Sequence, residues 1–294
     1  MTEATDKRAE ELRQRALLCV RKNELETALD LYDEALAAAA DEELRELITI
    51  NKADVLIAME QTTGEVQKLP AIVMRRRNPH HTFLAAYALT YKHRLQNDVK
   101  RGIFYAQIAL DTALEAAEAL WELGAWNELG SLYEIDGDFE KAISSFTRAL
   151  ELVTHVADPA EQQLSRGAAL QNLGASRLLN GEVEEGLRLI HDALPLIVSS
   201  SSMAEAYIDL CYGSIELERL EEARRWGRMG LELASETRQV RNAHYLLGEA
   251  AYKAGDLETA EIHYAELARF YPNFRHLKNL LMAVDLRSMV NLKA

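Results

Sequence analysis

The stretch Trp126 to Leu150, WNELGSLYEIDGDFEKAISSFTRAL, restricts the fold more than any other part of the chain, because two amphipathic helical patterns are separated there by a tight turn. Trp126, Leu129, Gly130 and Tyr133 recur at the 3 and 4 spacing of one helix face, and Ala142, Phe146, Ala149 and Leu150 do the same beyond Gly137-Asp138. The pattern is that of a helical hairpin. Small residues at 130, 142 and 149 allow two backbones to approach, and Trp126, Tyr133 and Phe146 fill the remaining space.

This stretch resembles the tetratricopeptide repeat, whose W-x2-L-G-x2-Y and A-x3-F-x2-A pattern it matches at seven positions. With Trp126 at position 4, the same register steps along the chain and places repeat starts near 9, 46, 83, 123, 167, 204 and 241. Their spacings of 37, 37, 40, 44, 37 and 37 residues exceed the roughly 34 of the standard repeat. Longer helices or connectors are therefore expected. Turns are expected at Asn23-Glu24, Asn97-Asp98, Gly137-Asp138, Asn180-Gly181 and Gly255-Asp256. The second repeat is the weakest: Pro70 falls where a helix interior is due, so its second helix must start late or kink. Leu277, Leu280, Leu281 and Val284 suit a capping helix over 273–291. No strand pattern competes. The expectation is an all-α chain of about fifteen helices, a single α-α superhelix over residues 1–294; the resemblance implies a right-handed turn and a concave groove lined by the first helix of each repeat.

Composition narrows the function. The chain carries 33 Lys+Arg against 47 Asp+Glu, a net charge of −14, which disfavours nucleic acid and anionic membranes as general partners. The N-terminus is polar, without the apolar core of a signal peptide, and no later stretch reaches about 18 uninterrupted apolar residues. A cytoplasmic protein is expected. Cys19 and Cys211, far apart inside helical patterns, read as buried free thiols. There is no G-x-S-x-G, Gly-rich phosphate loop or H-E-x-x-H, and His80-His81 reads as a surface pair instead of a metal site. No catalytic residue, metal or cofactor is expected, and the many Glu residues read as solvated helix faces.

In tetratricopeptide-repeat proteins that hold peptides, contacts come mainly from first-helix positions 2, 5, 6, 9, 12 and 13. The resemblance thus implies a groove with Asn51, Asp54, Tyr87, Tyr91, Arg94, Asn127, Ser131, Gln171, Asn172, Tyr212, Tyr245 and Tyr252. Asn and Gln offer a donor and an acceptor to a peptide amide, and Tyr adds apolar area with a polar tip. The alternative is that these residues only serve solvated helix faces. Carboxylate-clamp repeats need Lys at position 5 and Asn at position 9, a pairing that no repeat here has.

A second feature is a basic island. Between Val66 and Leu110 lie eight basic residues and one acidic one, leaving the rest of the chain at −21. Arg75, Arg76 and Arg77 are candidates for anion binding, with neutralisation of a helix C-terminus and pairing to acidic neighbours as the alternative; Arg94 fits the groove better. The function expected is a non-catalytic scaffold or sensor holding a peptide or partner segment, expected to be acidic. An anion- or nucleic-acid-binding role of the island is the rival reading, and homo-oligomerisation is left open. Similar arrays occur in bacterial peptide-sensing regulators, which usually carry a helix-turn-helix domain ahead of the repeats; there is no room for one before Ala9.

Overall fold

The computed structural model describes residues 2–284 and 292–293. Among them are fifteen α-helices and no strand. In order they are α1 (Thr2–Arg21), α2 (Leu25–Ala38), α3 (Glu42–Ala58), α4 (Leu69–Arg75), α5 (Pro79–Leu95), α6 (Val99–Ala116), α7 (Ala119–Asp136) and α8 (Phe139–Leu152). There follow α9 (Pro159–Leu179), α10 (Val183–Ala193), α11 (Ser200–Glu216), α12 (Leu220–Leu233), α13 (Thr237–Lys253), α14 (Leu257–Ala268) and α15 (Leu277–Leu281). No helix among the described residues is long and apolar enough to cross a membrane.

One turn, used seven times among the described residues, ends the first helices. Each has a residue in the left-handed region: Asn23, Glu60, Asn97, Gly137, Gly181, Glu218 and Gly255, with φ between 54° and 89°. The next residue's N–H then reaches the carbonyl five positions back, as in Asp98 to His93, Asp138 to Tyr133, Arg219 to Ser214 and Asp256 to Ala251, each within 2.8–3.0 Å. This is the bond that closes a helix C-terminus in a Schellman motif. Where that residue is Asp, its side chain also accepts from the N–H three positions on, at Arg101, Lys141 and Thr259, and so caps the second helix. A single Gly/Asn-Asp pair thus stops one helix and starts the next.

The second repeat departs from this plan for the reason its sequence gives. A 3-10 segment, Gly64–Lys68, intervenes after α3, and Pro70 stands in the first turn of α4, where its missing N–H costs nothing. The second helix starts late and is only seven residues long.

The helices cluster into two compact units, residues 1–132 and 133–294, with the division inside α7. In the first unit α1 packs on α2, α5 on α6, and α3 against both α1 and α5. Its first core gathers Ala9, Leu12, Ala28, Tyr32 and Ile48. In the second unit α9 pairs with α10, α11 with α12 and α13 with α14, while α11 also touches α9 and α13. Phe146, Leu173 and Leu189 fill one part of its core, and Ile208, Cys211, Leu246 and Tyr264 another. The backbones of α9 and α10 approach closely: a Cβ on Gly186 would stand 2.7 Å from the Gly174 carbonyl oxygen, so neither position has room for a side chain.

Within the 273–291 expected for a capping helix, the described residues hold the five-residue α15, Leu277–Leu281. Leu281 is buried against the last core cluster with Leu277 packed beside it, whereas Val284 is exposed. Residues 285–291 lie outside the described residues. Cys19 and Cys211 are free thiols, the first half-buried and the second buried.

Candidate functional site

In the first unit, α3, α5 and α7 bring several of the expected groove residues together. Arg94 donates from Nε to the Glu128 carboxylate at 3.1 Å and lies over the Tyr91 ring, 5.1 Å from its centroid. Tyr87, one turn earlier on α5, rests against Gly124 of α7, where an added Cβ would come within 3.4 Å of the ring. Burial raises the Tyr87 hydroxyl pKa, helped by Glu128 and Asp54, so the phenol stays neutral and available as donor and acceptor. Asp54 is solvent-exposed, yet surrounding protein raises its carboxyl pKa by desolvation, a combination suited to a recessed surface. Asn127 is half-buried, and its Oδ1 is a buried acceptor with no hydrogen-bond partner among the described residues. Ser131, one turn beyond it on α7, is also half-buried.

Asn51 is already used by the fold: its Oδ1 accepts from Arg13 Nη1 at 3.0 Å, tying α3 to α1. Part of the basic island is likewise matched from within. Lys68 lies 3.7 Å from Glu65, Arg75 3.8 Å from Glu46, Arg77 3.4 Å from Glu42 and Arg101 3.4 Å from Asp98. Arg76 is the left-handed residue that ends α4. Arg75 also donates to the Ala71 carbonyl within that helix.

The second unit holds a feature that no sequence motif announces. Glu205 and Asp209, one turn apart on α11, converge on Lys293, whose ammonium donates to Glu205 Oε1 at 2.7 Å and to both Asp209 oxygens at 2.9 Å. Arg238 at the start of α13 grips the same Glu205 with two bonds, 2.9 and 3.2 Å, and donates to the Leu292 carbonyl at 3.1 Å. Asn242 Nδ2 reaches that carbonyl at 2.7 Å. Glu134, at the end of α7, is buried nearby and accepts from Ser176 Oγ on α9 at 2.6 Å.

These groups share their charges unequally. Burial pushes the Glu134 carboxyl up to about 7, against the pull of Lys293 and the Ser176 hydroxyl. Burial also raises Asp209, with Glu205 adding to the rise, whereas in Glu205 the cations Lys293 and Arg238 outweigh burial and hold the carboxyl down. Between about pH 6 and 7, therefore, Glu134 is largely neutral while Asp209 and Glu205 stay charged and face two cations.

The remaining predicted residues serve the core or the surface of the second unit. Gln171 is buried and donates to the Ser202 carbonyl at 3.1 Å, fastening α9 to the start of α11. Tyr245 is a core residue, Tyr212 packs against that core, Asn172 is half-buried, and Tyr252 is exposed. The expectation that Glu residues form solvated faces fails at Glu134 and Glu249, which are 6% and 5% exposed. Glu128, Glu134, Glu205, Asp209 and Asn242 all fall on the same register positions 2, 6 and 12 that gave the groove list. Applying those positions without preference for Asn, Gln and Tyr would have found them.

Residues 125–160 match the family model of the tetratricopeptide repeat. No curated protein sequence matches the chain. Among solved structures it is similar to the apo form of the quorum sensor NprR from B. thuringiensis, at 18% identity over 95% of this chain and 80% of that one, with a TM-score of 0.72. NprR in complex with its cognate peptide NprX is similar at 15% identity, 93% and 81% coverage and 0.68. The apo form of RapI follows at 11% identity, 97% and 84% coverage and 0.65. At these identities the likeness is one of fold, that of helical repeat solenoids.

Proposed function

We propose that this chain, a tetratricopeptide-repeat protein by its fold and by the repeat at 125–160, is a non-catalytic interaction protein that holds a peptide or an extended partner segment against its first helices. The observation that carries the reading is the surface made by Asp54, Tyr87, Tyr91, Arg94 and Asn127. It combines aromatic area with the half-buried amide of Asn127, whose Oδ1 has no hydrogen-bond partner among the described residues. That oxygen is closed to solvent, so a ligand backbone N–H satisfies it once the Asn127 side chain turns outward. The solved complex of NprR with its peptide NprX supports the reading by likeness of fold.

An acidic ligand was expected from Arg94 and the basic island. Arg94 is engaged by Glu128, and five of the island's cations have carboxylate neighbours. These pairs weaken the charge argument for an acidic segment at Arg94; among the described residues Arg76, Lys92 and Lys100 are not matched in this way, and anion binding by the island stays the rival reading.

The test is selection of peptides from a displayed random library on the intact chain, followed by affinity measurements with variants. Asn127→Ala is expected to weaken a selected peptide by roughly 0.5–1.5 kcal/mol, the worth of one hydrogen bond, and Tyr91→Ala by at least about 1 kcal/mol through lost packing. Selection that yields no ligand, or ligands indifferent to both changes, would sink the proposal.

A further inference from the structure

The described tail residues Leu292 and Lys293 are bound by the second unit in the way a short peptide is bound. The Leu292 side chain is 3% exposed and belongs to the core cluster with Tyr245 and Leu281. Its carbonyl accepts from two side chains, Arg238 and Asn242. Lys293 then places its ammonium between Glu205 and Asp209, with its side chain 9% exposed. An apolar anchor, a doubly held backbone carbonyl and a neighbouring charged pocket are the parts by which extended segments are recognised. The carboxylates that receive the ammonium lie on α11 at register positions 2 and 6, and Asn242 lies at position 2 of α13.

Charge makes the occupant specific. Glu205 and Asp209 are desolvated, with 14% and 5% of their side chains exposed, and Arg238 compensates only Glu205 directly. Removing the ammonium leaves Asp209 buried beside a second carboxylate, which is strongly unfavourable unless another cation enters or a proton binds. A neutral or acidic segment offers neither.

We propose that Leu292–Lys293 is a tethered occupant of a peptide subsite on the second unit, and that the segment this subsite accepts from a partner carries a lysine preceded by an apolar residue. The subsite rests on the reading above that first helices hold a peptide segment and extends it to the second unit: the tail competes with the segment that this subsite accepts. Because the competition is intramolecular, the tail acts at an effective concentration that can reach the millimolar range, and a partner binds at full strength only when the tail is absent or displaced.

The test uses a fluorescent synthetic peptide Val-Asn-Leu-Lys-Ala, the sequence of residues 290–294, titrated by anisotropy. A chain lacking residues 291–294 should bind it at least about tenfold more tightly than the full chain, and norleucine in place of lysine in the peptide should abolish that binding. Circular dichroism checks that the shortened chain keeps its helices. If it does not, K293M in the full chain carries the test, since it removes the competing charge while keeping the aliphatic stem, and it should likewise bind the peptide at least tenfold more tightly than the parent. Equal affinity of the parent and the altered chain, or equal binding of the norleucine peptide, would overturn the proposal. Peptides selected on the full chain that respond to Asn127→Ala and Tyr91→Ala leave the groove reading intact whatever these titrations give.

Discussion

Ser176 donates its hydroxyl to the Glu134 carboxyl at 2.6 Å, although the two lie 42 residues apart on α9 and α7. The bond joins two first helices through a buried acid, and burial sets how that acid titrates. Lys293, Asp209 and Glu205 also act on Glu134, Lys293 favouring its charged form and the two acids opposing it. With the folded pKa near 7 against 4.5 for the ordinary carboxyl, the folded state binds the extra proton between those limits. The stability that this proton confers is complete below about pH 4.5 and lost as pH rises through 7. Glu134→Gln keeps an acceptor for Ser176 and removes the titration. Urea unfolding of parent and variant at pH 5 and pH 8 should show the variant gaining, by roughly 1–3 kcal/mol, toward the higher pH. An unchanged difference would mean that Glu134 is ionised throughout.

Most of the fold was legible because the repeat writes it locally. The Gly/Asn-Asp turns at 97–98, 137–138 and 255–256 need nothing beyond a left-handed residue and a capping carboxylate, both visible in the letters. Pro70 announced the late start of α4 for the same reason. The turn at Glu218-Arg219 carries no such letters and was missed; its backbone is that of the others. The site was less legible because residue type does not say which register positions the core has claimed. Gln171 and Tyr245 carry the chemistry of a groove yet hold helices together, whereas Glu205 and Asp209 carry none of its letters and converge on Lys293. What distinguished the acids was the distant Lys293, a partner that no local pattern reveals.

The contact between α9 and α10 predicts an intolerance. A Cβ on Gly186 would stand 2.7 Å from the Gly174 oxygen and 2.8 Å from the Leu178 nitrogen, and both are backbone atoms that cannot swing aside. Gly186→Ala gains up to about 1 kcal/mol in helix propensity, but the forced separation costs more. A net loss of roughly 1–3 kcal/mol in chemical denaturation is expected, and a neutral result would show that the helices can part at little cost.

Glu218 predicts the opposite sign. It is exposed and held at φ 57°, a conformation unfavourable for a side chain by roughly 1–2 kcal/mol. Glu218→Gly relieves that strain while giving the unfolded chain more freedom, so the net gain should be about 0.5–1 kcal/mol. The matching control is Gly181→Ala at φ 89°, which should lose stability. If both changes move stability the same way, backbone strain is not what these turns respond to.

The arginines of the first unit separate by burial. Arg77 and Glu42 are 64% and 81% exposed at 3.4 Å, so solvent screens their attraction and Arg77→Ala should change stability by less than about 0.5 kcal/mol. Arg94 differs on both counts: its partner Glu128 is only 12% exposed, and its guanidinium lies over Tyr91. Truncating it strands a largely desolvated carboxylate and removes the cation from the ring. Arg94→Ala should therefore cost roughly 1–2 kcal/mol before any ligand is present. Adding Glu128→Gln should restore part of that loss, because the stranded charge is then gone, and the double-mutant cycle isolates the pair. Binding measured on Arg94→Ala alone would mix this strut with any ligand contact; the Glu128→Gln background separates them. If Arg94→Ala is as harmless as Arg77→Ala, the pair is screened in solution and Arg94 is free to meet a ligand after all.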